Sequence, residues 1–240
     1  MKWDRTQGRP EPIAALNRIV EVENGEPLVE MSVACPSLVR LRPGTIGWCR
    51  RSVATMAESA AQSLPAGIQL GYSEAWRPLV RQRMIFDWMW EQLEVARPGL
   101  SYAAKRRQVC RWVAPVDQKA PPGHCTGAAL DVYLLDDQGA VIDLVSPLTR
   151  FGSAPTYVHG LDPVSQANRS LLINAMLGSG FSNCRDEFWH YSFGDAGWAV
   201  RTDNATCSFG LVELDPQHWE HEQKIWEAGL VGRPNPFLPS

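Results

Sequence analysis

Apolar positions recur at helical intervals along much of this chain. Ile46, Val53, Met56 and Ala60 place a helix over residues 45–63, which Leu64-Pro65-Ala66-Gly67 breaks. Leu79, Met84, Ile85, Trp88 and Met89 form the stripe of a second helix, entered from Pro78 and ended before Arg97-Pro98-Gly99. Because Trp88 and its neighbours keep helical spacing, these aromatics are expected in the core rather than in a binding groove. Ser101 caps a third helix running to about Trp112, ahead of a Pro-rich loop over 114–123. A fourth helix covers 163–177 and closes at Gly178 and Gly180.

Between these helices the period changes. Residues 68–73 read as a buried strand that delivers Glu74 and Arg77 to its end. Over 126–135, Leu130, Val132 and Leu134 share one face of a strand, while Asp131 and Tyr133 share the other. The turn Asp136-Asp137-Gln138-Gly139 then leads to a second strand at 140–144, giving a hairpin. A last strand covers 187–193, and the first 44 residues, rich in Pro and Gly, are expected to wrap the domain irregularly. Local hairpins with separate helices predict an α+β fold. The expectation is a single domain over 1–240, with a mainly antiparallel sheet, flanking helices and a cleft on the sheet.

Composition narrows the function. With 240 residues, 45% of them hydrophobic, the chain can bury a real core. A net charge of −3 leaves no electrostatic footprint for nucleic acid, and no basic run suits a membrane surface. Met1 to Pro10 holds no apolar signal core, and no later run reaches the roughly 18 apolar residues of a spanning helix. The expectation is a cytoplasmic protein acting on a small molecule. Its six cysteines are scattered without CxxC spacing and are expected as reduced, mostly buried thiols.

Two distant segments carry the chemistry, His124-Cys125-Thr126-Gly127-Ala128-Ala129-Leu130-Asp131 and Glu187-Phe188-Trp189-His190. They supply two imidazoles, one ligand carboxylate and one spare carboxylate. Three ligands of N, N and O type leave a fourth position for water, whereas structural zinc is normally closed by four Cys or His. Gly127 and Ala128 are expected to keep the backbone slim beside the metal. His159, His218 and His221 lack such company and are expected in ordinary structural roles. Glu187 and His190 are an odd number of residues apart, so a regular strand would point them to opposite faces. Either a bulge at Phe188-Trp189 or a loop position for Glu187 must bring both to the site.

With the upstream run Glu74-Ala75-Trp76-Arg77-Pro78, these blocks resemble the zinc D-alanyl-D-alanine dipeptidases, including those of vancomycin resistance, among the zinc D,D-peptidases. The likeness extends over about 71–198. It implies one Zn²⁺ per chain bound by His124, Asp131 and His190, with Glu187 as general base and then acid. It also implies Arg77 facing the scissile carbonyl oxygen, Glu74 steadying that guanidinium, and a small dipeptide as substrate. Two positions depart from the family pattern. Pro122 replaces a frequent Ser, and Thr149 stands where the family places the carboxylate that anchors the substrate's free amine. Besides D-Ala-D-Ala hydrolysis, an amidase or carboxypeptidase acting on an N-blocked dipeptide, a peptidoglycan fragment or a natural-product intermediate therefore fits the sequence. A non-catalytic zinc protein that binds peptides fits less well, because Glu187 and Arg77 are not needed to hold metal.

Overall fold

The alternation at 129–135 builds the central strand of the molecule. The computed structural model describes residues 7–238; Met1 to Thr6, within the stretch read as lacking a signal core, lie outside the described residues. Five strands form the main sheet: β1 (Leu38–Arg40), β2 (Gln69–Glu74), β3 (Ala129–Leu135), β4 (Ser182–Asn183) and β5 (His190–Ser192). Their order is β1-β2-β3-β5-β4; β1 runs parallel to β2, and the remaining neighbours are antiparallel. The sheet is therefore mixed, within a fold of strands and separate helices.

One face of β3 makes the core. Leu130, Val132 and Leu134 are fully buried against α1 (Arg51–Gln62) and α5 (Pro163–Gly178), through Val53, Ala57, Leu172 and Met176. Burying each such aliphatic side chain contributes about 1.5–3 kcal/mol. The other face, carrying Asp131 and Tyr133, opens into a cavity of about 1330 Å³. Across that cavity lie α2 (Leu79–Ala96), the residues that follow α3 (Tyr102–Val109) and the short α4 (Arg150–Ser153). The expected cap forms at Ser101, whose Oγ accepts from Ala104 N at 3.3 Å, and Asp162 Oδ1 accepts from Ser165 N at 2.8 Å at the start of α5. Such caps contribute about 1 kcal/mol each.

Several elements differ from the sequence reading. The helix expected from residue 45 begins only at Arg51, because Trp48–Arg50 pairs antiparallel with the distant Leu28–Glu30. The segment expected to be irregular holds five short elements over 13–40, including β1 of the main sheet. The second hairpin strand at 140–144 reduces to one bridge, Leu135 to Val141. Asp143 Oδ1 accepts from the backbone of Val145 and Ser146 and folds the chain away. Trp88 and Trp112 do pack on a second apolar cluster around Met89 and Leu93, but both also line the cavity. All six cysteines are free, and among the described residues no helix is long and apolar enough to cross a membrane.

Candidate active site

A bulge in β2 sets the first line of the site. Tyr72 pairs with Val132, but the next pairing is Glu74 with Asp131, so Ser73 is the extra residue. On the other side of β3, Asp131 pairs with His190. Residues directly opposite on neighbouring strands share a face. Glu74, Asp131 and His190 thus form a row across three strands, of which Asp131 and His190 line the cavity.

His190 opens β5, and Glu187 precedes that strand in the turn after Arg185 and Asp186. The expected strand over 187–193 is therefore shorter, at His190–Ser192, which removes the conflict of odd spacing. The turn is fixed by Phe188 N donating to the Ala154 carbonyl at 2.8 Å and by His190 N donating to the Glu187 carbonyl at 3.1 Å.

His124 arrives on a single 3₁₀ turn, Gly123–Thr126. Gly127 ends that turn at φ 71°, in the left-handed region that favours glycine, and a Cβ there would collide with Leu28. Ala128 is buried in the core. Turn geometry and packing, rather than room for a metal, account for these two small residues. The loop after β2 then grips His124 from both sides. His124 Nδ1 lies 2.9 Å from the Ala75 carbonyl, and Arg77 N donates to the His124 carbonyl at 3.1 Å.

A carbonyl can only accept, so the Ala75 contact assigns the proton of the neutral His124 ring to Nδ1 and leaves a lone pair on Nε2. That Nε2 lies 3.3 Å from Asp131 Oδ1, and His190 Nδ1 lies 3.1 Å from the same oxygen. Ligand atoms of the three residues all fall within 4.8 Å of one another. A tetrahedral ion with bonds of about 2.0–2.1 Å holds its ligand atoms about 3.3 Å apart. The separations therefore suit such an ion, and a cation between Nε2 and Oδ1 resolves the contact of two acceptors. Among the described residues no other group of three His, Cys, Asp or Glu meets this condition, and His159, His218 and His221 are outside it.

The remaining groups shape the field. Burial acts to raise the Asp131 carboxyl, but the two imidazoles together outweigh it and hold it well below the usual Asp range. Burial raises the Glu187 carboxyl well above the usual range; the charge of Asp131 adds to this, and Arg77 opposes it. Arg77 lines the cavity with its Nη2 3.2 Å from Glu74 Oε2. Its Nη1 donates to Gln82 Oε1 at 2.6 Å, and Gln82 in turn donates to the Ala114 carbonyl at 2.7 Å. Gln82 was not legible in the sequence: it lies in the first turn of α2, and only its packing against the 114–123 loop gives it this role. Thr149 lines the cavity too, but it caps α4, its Oγ1 accepting from Gly152 N at 3.4 Å.

A family model described as D-Ala-D-Ala dipeptidase matches residues 48–209. A D-alanyl-D-alanine dipeptidase from Synechocystis sp. is 33% identical over a stretch covering 52% of this chain and 60% of that protein. The Escherichia coli D-alanyl-D-alanine dipeptidase is 26% identical, covering 65% of this chain and 72% of the relative. The match thus spans less than two thirds of the Synechocystis protein. Two solved structures are also similar. One is the vancomycin-resistance D,D-pentapeptidase VanY in complex with Zn(II), at TM-score 0.44 and 14% identity, covering 80% of this chain and 96% of that one. The other is VanYB in complex with D-Ala-D-Ala, at TM-score 0.45 and 15% identity, covering 85% and 92%. His124, Asp131, Glu187, His190, Glu74 and Arg77 all fall inside the matched residues, and the chain belongs to the D-Ala-D-Ala dipeptidase family of peptidases.

Proposed function

We propose that this protein is a zinc-dependent hydrolase that cleaves the amide bond of a D-Ala-D-Ala-like dipeptide, and that it acts in the cytoplasm. The observation that carries the reading is the convergence of His124, Asp131 and His190 in one cavity that Glu187 and Arg77 also line. The free state of all six thiols agrees with a reducing compartment. His124, Asp131 and His190 hold the zinc, which when bound supplies a water ionised near neutral pH and a Lewis acid for the scissile carbonyl. Glu187 accepts the proton of the attacking water at its carboxylate and returns it to the leaving amine. Burial of that carboxyl suits it to hold the proton between the two events. Arg77, clamped by Glu74 and Gln82, meets the negative charge that develops on the carbonyl oxygen.

The clamp makes Arg77 sensitive to a change that preserves charge. Lysine carries a point charge on a flexible stem and cannot satisfy Glu74 and Gln82 while facing the substrate. Arg77→Lys is expected to lower kcat/KM by about 10²–10³-fold, as for loss of one oxyanion donor, with zinc content unchanged. A variant within threefold of wild type in steady-state kinetics removes Arg77 from the oxyanion role.

Thr149 favours a second reading, in which the substrate's amine is blocked. A neutral hydroxyl committed to a helix cap offers no countercharge to an ammonium. Asp caps helices at least as well as Thr, so Thr149→Asp tests this without loss of the turn. The experiment is hydrolysis of free and N-acetylated LL, LD, DL and DD dipeptides by zinc-loaded wild type and Thr149→Asp. A charge-assisted contact contributes about 1.5–3 kcal/mol, so the ratio of kcat/KM for free over acetylated D-Ala-D-Ala should rise roughly tenfold or more. If wild type already prefers the free dipeptide and the ratio does not move, the amine is held elsewhere and Thr149 is no determinant.

A further inference from the structure

The cavity is far larger than two alanine residues need. At about 1330 Å³ it exceeds the roughly 300–1,000 Å³ of sites that enclose drug-sized ligands. Its unused part has a distinct chemistry. Three aromatic rings from separate stretches of chain meet there: Trp112 just after α3, Phe151 on α4, and Phe237 near the carboxyl end. The Trp112 and Phe151 centroids are 4.7 Å apart, and the Phe151 and Phe237 rings are stacked at 6.0 Å with 11° between their planes. Ile85 and Trp88 of α2 extend this wall. All five side chains are half-buried, so apolar faces remain open to the cavity that also holds the His124, Asp131 and His190 cluster.

Charge divides the cavity in the same way. Its acidic lining residues are Glu11, Asp131, Asp186, Glu187 and Asp195, which belong to the amino-terminal segment, the sheet and the chain around β5. Residues 79–122, α4 and the carboxyl-terminal segment contribute no Asp or Glu among the described lining residues, only arginines such as Arg97, Arg111 and Arg233. An ammonium has no countercharge on that side; an uncharged apolar group needs none. The wall is also held in place. Asn235 Nδ2 donates to the Gln92 carbonyl at 2.8 Å, and the Arg233 guanidinium lies 5.7 Å from the Trp88 ring centroid. This carboxyl-terminal segment lies outside residues 48–209, so the family match does not account for Phe237.

We infer that the Trp112, Phe151 and Phe237 wall is a subsite for an aryl group carried by the substrate. The inference rests on the dipeptidase reading for the identity of that substrate. The ring can be supplied by an acyl group on the amino nitrogen or by the second side chain, and the probes separate these sources.

Binding is read by calorimetry on zinc-loaded protein with N-phenylacetyl-D-alanine against N-acetyl-D-alanine, and with D-phenylalanine against D-alanine. At least one aryl member should bind about tenfold or more tighter than its methyl counterpart, as expected for burying a ring against apolar walls. Phe237→Ala should erase most of that preference, and Phe237→Trp should restore it, which separates a lost subsite from a lost fold. Equal affinities within both pairs, or a preference that survives Phe237→Ala, overturn the subsite. Hydrolysis of D-Ala-D-Ala, N-phenylacetyl-D-Ala-D-Ala and D-Ala-D-Phe is followed in parallel. Cleavage of D-Ala-D-Ala without any aryl preference leaves the dipeptidase reading standing and rejects the subsite. Cleavage of none of the three rejects the dipeptidase reading and, with it, the assignment of the wall to a substrate.

Discussion

Glu187→Gln is expected to retain zinc and fold while losing turnover by at least about 10²–10⁴-fold, the scale of general acid–base catalysis. The amide matches the carboxylate in shape, so the turn between β4 and β5 survives; its hydrogen bonds run through the backbone of residues 187, 188 and 190. What the amide cannot do is accept a proton from water. The loss should therefore fall on kcat rather than KM, because the step removed is chemical. Single-turnover kinetics with zinc analysis on the same sample separate the two effects. Activity within a few-fold of wild type removes Glu187 from the proton-transfer role, whatever its position in the cavity.

The sequence made the grouping of His124, Asp131 and His190 legible because each of the three sits in a dense local block. It did not reveal how the blocks meet. Glu74 comes level with Asp131 only through the Ser73 bulge, and a one-residue irregularity leaves no hydrophobic signature. Glu187 was read both as a strand residue and as a loop residue, and the turn after Asp186 decides for the loop. The late start of α1 has a tertiary cause: pairing of Trp48–Arg50 with Leu28–Glu30 overrides local helical spacing. Gln82 and the Ala75 carbonyl were invisible for the same reason, since each acquires its role from a partner far along the chain or from the backbone itself. Period and turn chemistry did place the long α2 and α5 and the two-faced β3, whose patterns are set by burial alone.

Loss of either imidazole should be as damaging as loss of the base, and by a different route. His124 and His190 reach the same Asp131 oxygen, one from a 3₁₀ turn and one from β5. No nearby Cys, Asp or Glu among the described residues completes another three-ligand set. Removing a hydrogen-bond partner behind a zinc ligand already costs about 10–100-fold in affinity, so removing the ligand itself should cost at least about 100-fold. His124→Ala and His190→Ala are both expected to lose zinc and turnover together while keeping their circular dichroism. His159, His218 and His221 should be replaceable without change in either.

The most direct measurement is turnover of D-Ala-D-Ala as zinc is returned to chelator-treated protein, with bound metal quantified at each point. For wild type, activity should be absent without metal, rise in proportion to occupancy and level off at one zinc per chain, whereas His190→Ala should show neither binding nor activity over the same range. Metal-free wild type that hydrolyses the dipeptide at the full rate, or His190→Ala that binds zinc with wild-type affinity, would contradict the assignment of this site.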